Sequence, residues 1–165
     1  MRALTEKMIR RSFVNCSRGE ATAMTLPRDL DDLPWDAHEY LGWRDPKAPL
    51  RGYAVLWRDD EPLGIALRAA ETAISRRRAV MCLFCQTTHS GGDVTLFTAR
   101  RAGQAGRNGN TVGQYICADL RCSKRIRTDI PPWLRSREPD QVIPQLADDL
   151  RQRVQAFAGQ VIATP

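Results

Sequence analysis

The sequence predicts an α+β fold built from small antiparallel β-hairpins and a compact finger, with helices flanking both ends. Three observations carry that expectation. Two close cysteine pairs stand 31 residues apart. Residues 52–67 hold two apolar runs separated by a charged, proline-containing turn. Residues 140–160 place an apolar side chain at every third or fourth position.

The elements follow in chain order. Residues 4–14 read as a packing helix, with Thr5 as N-cap and Ile9 and Phe13 as an i, i+4 apolar pair. Cys16 stands alone and reads as a half-buried apolar residue. Residues 26–50 are expected to be irregular, because prolines fall at 27, 34, 46 and 49. Within them Trp35, Tyr40 and Trp43 read as core plugs rather than base-stacking platforms. Gly52–Trp57 and Leu63–Leu67 form the first predicted hairpin. Residues 68–78, RAAETAISRRR, have helical propensity. Ile130-Pro131-Pro132-Trp133 is an expected chain break. The apolar stripe of Val142, Leu146, Leu150, Val154, Phe157 and Val161 marks a helix over residues 140–160, with Pro144 in its first turn. That stripe is expected to dock on the core, with a partner surface as its second reading. The whole chain, 1–165, is expected to be one domain, without repeats or low-complexity runs.

The cysteines carry the chemistry. Cys82-Leu83-Phe84-Cys85 and Cys117-Ala118-Asp119-Leu120-Arg121-Cys122 are C-x2-C and C-x4-C half-sites. Zinc takes four tetrahedral soft donors, and each close pair supplies two from one turn. The spacing therefore predicts one structural Zn2+ held by Cys82, Cys85, Cys117 and Cys122. Residues 111–116 read as a strand and 118–126 as a helix. Cys117 then sits at the strand end and Cys122 about one turn into the helix. Val94–Thr98 reads as the partner strand, and the glycines at 103, 106, 109 and 113 as a flexible loop. Knuckle, hairpin and helix, in that order over residues 80–127, describe a treble-clef zinc finger. His89 reads as a replacement ligand, a hydrogen-bond partner of the site, or an ordinary loop residue.

The composition sets bounds on function. The chain carries 25 basic and 19 acidic residues, a formal charge of +6. Residues 68–137 hold the entire excess, net +9, between flanks of −1 and −2. Such a block suits a polyanion or an acidic protein surface. Four thiolates around a dication lower the total charge by two. Arg76, Arg77, Arg78, Arg121, Lys124 and Arg125 lie near enough in sequence to offset the centre's local negative charge. No stretch has the length and apolarity of a membrane helix, and the N-terminus has no apolar leader core, so a cytoplasmic protein is expected. Histidine occurs only at 38 and 89, and no hydrolase, metalloprotease or nucleotide-loop signature is present. An enzyme is not expected.

The segments LTEKMIRRSFVNCSRGEA, LPRDLDDLPW, LGWRDPKAP, GIALRAAE, MCLFCQTTHSGG and LFTARRAGQAGRNGNTVGQYICADLRCS, taken together, resemble the elongation-factor-G-binding protein family of the fusidic-acid-resistance type. The resemblance is to the C-terminal treble-clef zinc-finger domain of that family and covers nearly all of residues 3–160, most closely 81–123. It is similar to the shorter actinobacterial-type members. The resemblance implies zinc on the four cysteines, elongation factor G as partner, and an action on release of that factor from the ribosome. It also implies that the helical N-terminal domain of the resistance proteins is absent or reduced here. On this reading a basic face meets the partner, with Arg100, Arg101, Arg107, Lys124, Arg125 and Arg127 as contacts. An RNA- or ribosome-binding module is the alternative. It is disfavoured because the basic block holds few aromatics, namely Phe84, Phe97, Tyr115 and Trp133.

Overall fold

A computed structural model of the chain describes residues 1–131 and 134–163. Thr5 opens α1 (Glu6–Ser12) by accepting a hydrogen bond from the Met8 backbone N–H at 3.3 Å. Ser17 and Glu20 form a reciprocal capping box at the start of α2 (Arg18–Ala23). Arg10 of α1 donates to the carbonyls of Ala21, Thr22 and Met24, which closes the end of α2. Two 3₁₀ turns, Leu30–Asp32 and Trp35–Ala37, carry the chain to the sheet.

The strands are β1 (Leu41–Asp45), β2 (Ala48–Arg58), β3 (Glu61–Ala69), β4 (Ala79–Met81), β5 (Thr88–Ser90), β6 (Val94–Arg100) and β7 (Thr111–Cys117). Five of them make one antiparallel sheet in the order β1-β2-β3-β6-β7, while β4 and β5 form a separate small hairpin. The two predicted hairpins are thus parts of a single sheet. Asp59 and Asp60, at φ 47° and 64°, supply the two left-handed positions of the β2–β3 turn. The helices after them are α3 (Gly103–Arg107), α4 (Cys122–Thr128) and α5 (Pro139–Ile162).

Four expectations are corrected. Residues 41–45 are a strand inside the supposedly irregular stretch; Leu41 and Trp43 face one way and pair into β2. Tyr40 and Trp43 are buried as core plugs and Trp35 is half-buried. Residues 68–78 form no helix. Arg68 and Ala69 continue β3 into register with Thr98 and Phe97, and Ala70 N–H donates to Leu96, so the sheet takes the backbone groups a helix needs. The glycine-rich loop contains α3: Gly103 and Gly109 take φ of 65° and 87°, while Gly106 lies against the Arg101 carbonyl, where a Cβ has no room. Helix α5 matches the predicted C-terminal helix with slightly wider bounds, but Pro144 falls in its second turn. The Pro132–Trp133 part of the expected break lies outside the described residues.

The sheet is covered on both faces, which explains why Gly52–Leu56 of β2 is buried without alternation. One face presents Ala54, Leu56, Ile65, Phe97 and Ile116 to Leu150, Val154, Phe157 and Val161 of α5. The opposite face presents Leu41, Trp43, Tyr53 and Val55 to Leu4, Ile9, Met24 and Leu30 of the N-terminal layer. The α5 stripe is therefore core, as its first reading had it. Gly42 and Gly52 are gaps in the first face. They admit Leu120, and a Cβ at Gly42 would collide with the Leu120 carbonyl oxygen and the Tyr40 ring. Both neighbours are buried and fixed, so Gly42→Ala is expected to cost about 2–3 kcal/mol. Urea unfolding at constant zinc measures it; an unchanged midpoint would show that the Leu120 turn yields freely.

Candidate metal centre

The first half-site sits on the β4–β5 hairpin. The Thr87 carbonyl accepts from Cys82 N–H and the Cys82 carbonyl from Gln86 N–H, which tightens the Cys82–Cys85 knuckle. Gln86 takes φ 55° to close it. Within the knuckle Phe84 points into the core, fully buried, while Leu83 points out. The second half-site begins at Cys117, the last residue of β7. Leu120 reverses the chain at φ 61°, and Cys122 is the first residue of α4. Cys122 was expected one turn into the helix. The helix starts later because residues 118–121 are occupied by this turn, closed by Leu120 N–H to the Cys117 carbonyl.

The four sulfurs of Cys82, Cys85, Cys117 and Cys122 lie within 4.8 Å of one another, and all four residues are buried. Cys82 to Cys122 and Cys85 to Cys117 are each 3.7 Å apart. Four donors about 2.3 Å from a tetrahedral zinc have edges of about 3.8 Å. The spacing and the donor chemistry both fit zinc. The close sulfurs split one another's titration: Cys117, Cys82 and Cys85, then burial, hold the Cys122 thiol well above its ordinary pKa, while hydrogen bonds from Cys117 and Cys122 hold Cys85 below. Cys117 N–H donates to Cys82 Sγ at 3.3 Å. His89 Nε2 lies 3.7 Å from Cys117 Sγ and 4.0 Å from Cys85 Sγ, which places it beside two sulfurs of the cluster as a hydrogen-bond partner. Cys16 is remote from the cluster and half-buried.

Three side chains from outside the finger grip its backbone. Tyr40 Oη donates to the Leu120 carbonyl at 2.8 Å. Burial, then the nearby sulfurs, raises the Tyr40 phenol pKa and keeps it a donor. Arg44 Nη1 donates to the Ala118 carbonyl at 3.0 Å, and Arg153 Nη1 of α5 to the Phe84 carbonyl at 2.9 Å. The rings of Tyr40, Phe84 and Phe157 contact edge-on in series, each pair 5.7 Å between centroids.

The six basic residues chosen from sequence divide into two groups. The β6–β7 register puts Arg100 opposite Thr111 at one end and Val94 opposite Cys117 at the other, about 20 Å away. Arg100, Arg101 and Arg107 belong to the first end and Lys124, Arg125 and Arg127 to the second. Arg125 pairs with Asp119 at 3.1 Å and Asp129 at 3.6 Å. Arg127 holds both oxygens of Glu39, at 2.8 and 3.1 Å, and Glu39 N–H donates to Ser123 Oγ. These contacts fix α4 against the N-terminal layer. Lys124 remains exposed.

Sequence reasoning missed an apolar surface. Met81, Leu83 and Tyr115 are 47%, 40% and 43% exposed. Leu83 N–H donates to the Tyr115 carbonyl at 2.8 Å, which sets the knuckle against the strand. The exposed Arg76, Arg77 and Arg78 immediately precede the hairpin that carries Met81. The sequence alone assigns Leu83 no direction; the burial of Phe84 beside it in the knuckle is what turns Leu83 outward.

Residues 8–161 match the family described as FBP C-terminal treble-clef zinc-finger. The fusidic acid resistance protein FusC is a structural neighbour at TM-score 0.46 and 21% identity, over 62% of this chain and 45% of that one. The chain thus spans under half the length of that protein. No curated protein matches it.

Two outcomes test the centre. Cys117→Ser is expected to lose bound zinc and to unfold at least residues 80–127, since structural zinc supplies folding free energy; metal analysis and circular dichroism check it, and retained zinc with an unchanged melt removes Cys117 from the site. Arg127→Met leaves Glu39, with its side chain only 2% exposed, without its ion-pair partner. The expected cost is about 3–5 kcal/mol, far beyond the change of under ~1 kcal/mol from breaking the solvent-exposed Arg68–Glu71 pair. Chemical denaturation of the two variants compares them.

Proposed function

This chain belongs to the FBP C-terminal treble-clef zinc-finger family, and from that membership we propose that it is a non-enzymatic protein that binds elongation factor G and biases its action on, or release from, the ribosome. In this reading Cys82, Cys85, Cys117 and Cys122 hold the one structural zinc, residues 1–165 act as a single unit, and the finger over 80–127 carries the contact.

The observation that carries the reading is the exposure of Met81, Leu83 and Tyr115 on the knuckle and the strand bonded to it. A soluble domain exposes adjoining large apolar groups at cost, and an aromatic anchor within an apolar centre and charged rim is the usual anatomy of a protein contact. Arg76, Arg77, Arg78 and Lys124 supply a basic rim for an acidic partner surface. The zinc fixes the knuckle that aims Leu83 outward, so the metal acts by positioning the contact. A binder that fits one conformation of the factor shifts its population toward that conformation, which is the whole of the mechanism required. Apolar, largely aliphatic contacts favour a protein over a base-stacked RNA at this surface.

Calorimetric titration of the zinc-loaded chain with elongation factor G at physiological salt tests the proposal. Saturable one-to-one binding is expected. Leu83→Glu and Tyr115→Glu are each expected to weaken it roughly tenfold or more with zinc content unchanged. Absence of binding across temperatures sinks the partner. Binding that both variants leave intact sinks the surface.

A further inference from the structure

A concave site lies at the Arg100–Thr111 end of the β6–β7 pair, away from the Cys117 end that carries zinc ligands, between the sheet and residues 15–20 of the N-terminal layer. It is a cavity of about 200 Å³ whose lining includes Asn15, Tyr53, Arg51, Arg68, Thr98 and Arg100. The sheet register explains the convergence. Arg51 is directly opposite Arg68, Arg68 is directly opposite Thr98, and Arg100 stands two residues beyond Thr98 on the same face. Three arginines therefore border one hollow from the same sheet face, two of them as a like-charge cross-strand pair that by itself destabilises a sheet.

The three arginines are only partly neutralised from within the protein: Glu20 acts on Arg100 and Arg51 without forming an ion pair with either, and Glu71 reaches Arg68. Arg68 reaches Glu71 at 2.8 Å, but both side chains are mostly in solvent, which makes the pair weak. Among the described residues, Arg51 and Arg100 make no ion pair. One carboxylate, Glu20, also borders the cavity. Its Oε2 accepts from Ser17 N–H at 2.8 Å and closes the cap of α2. Asn15 locks the floor: its side chain bridges Ala66 N–H, the Ala66 carbonyl and the Arg100 carbonyl at 2.8, 2.9 and 3.0 Å. The Arg100 backbone is thereby fixed while its guanidinium is left available. The Thr98 hydroxyl and Tyr53 phenol add polar character to the lining.

We propose that this cavity binds a phosphate group, with Arg51, Arg68 and Arg100 as its ligands. Guanidinium forks match the oxygens of a phosphate and make its strongest neutral-pH hydrogen bonds. The group arrives either as a free phosphate or on the backbone of a single-stranded RNA; the ligand chemistry is the same. The site is separate from the factor-binding surface and does not depend on that reading.

The test uses the full zinc-loaded chain and amide-resolved NMR titration. Inorganic phosphate is compared with chloride at equal ionic strength, and an eight-nucleotide RNA forms a second arm. Saturable phosphate-specific shifts are expected at residues 15–17, 51–53, 66–68 and 98–100. Arg51→Gln and Arg100→Gln are each expected to weaken binding roughly tenfold, while Arg107→Gln and Leu83→Glu leave it unchanged. Phosphate is also expected to raise the melting temperature of the parent chain and not of Arg51→Gln. That variant itself melts no lower than the parent, because it relieves the Arg51–Arg68 repulsion. RNA that shifts the same amides more tightly, with a steep salt dependence, identifies a nucleic-acid backbone as the source; RNA that leaves them unmoved while phosphate shifts them identifies a free phosphate. Shifts that chloride reproduces, shifts that survive both arginine variants, or no saturable shift with either probe overturn the site.

Discussion

Four thiolates share one buried volume only around a dication, and most of the finger's geometry follows from that requirement. The two half-sites come from different parts of the chain, one from a short hairpin and one from the end of a sheet strand. Neither closes a core alone: the β4–β5 hairpin has three-residue strands, and α4 is a seven-residue helix. The metal makes one body of them. Tyr40, Arg44 and Arg153 then hold three carbonyls of that body, so the N-terminal layer, the sheet and α5 all register against the finger. Packing supplies much of the free energy, but the zinc decides which surfaces meet.

The readable parts of the sequence were those governed by local chemistry. Cysteine spacing located the sulfurs that converge, because two residues in a knuckle and two across a tight turn have few geometries open to them. The β2–β3 hairpin was legible from two apolar runs around a charged turn, and α5 from its periodicity, which reflects the side of the helix that the core covers. The misreadings occurred where tertiary demand overrode local preference. Residues 68–78 favour a helix by propensity, yet Arg68 and Ala69 are drawn into the ladder with β6. The 41–45 strand lay hidden between prolines, since only its pairing with β2 gives it a reason to extend. The helix after Cys117 was placed too early because nothing in Ala118–Arg121 announces the positive φ at Leu120.

The candidate surfaces were less legible than the metal centre for a related reason. Charge clusters in the chain need not be clusters in space. Arg125 and Arg127 lie within one turn of Lys124 on the same short helix, but ion pairs with Asp119, Asp129 and Glu39 commit them to structure. Conversely, Arg51, Arg68 and Arg100 are scattered in sequence and come together only through strand register. Exposure of Leu83 between two buried cysteines is likewise set by the direction of the knuckle, which composition does not encode.

The knuckle has a further consequence through its bond from Leu83 N–H to the Tyr115 carbonyl. Strand β7 is the last in the sheet, so its outer edge offers unpaired backbone groups of the kind that template pairing between molecules. The hairpin that the zinc holds in place covers part of that edge, and Cys117 N–H is directed to the Cys82 sulfur instead of outward. The metal centre thus also shields a strand edge: the knuckle that carries two of the ligands occupies the Tyr115 carbonyl and the Cys117 N–H, backbone groups of β7 that would otherwise stand open to pairing.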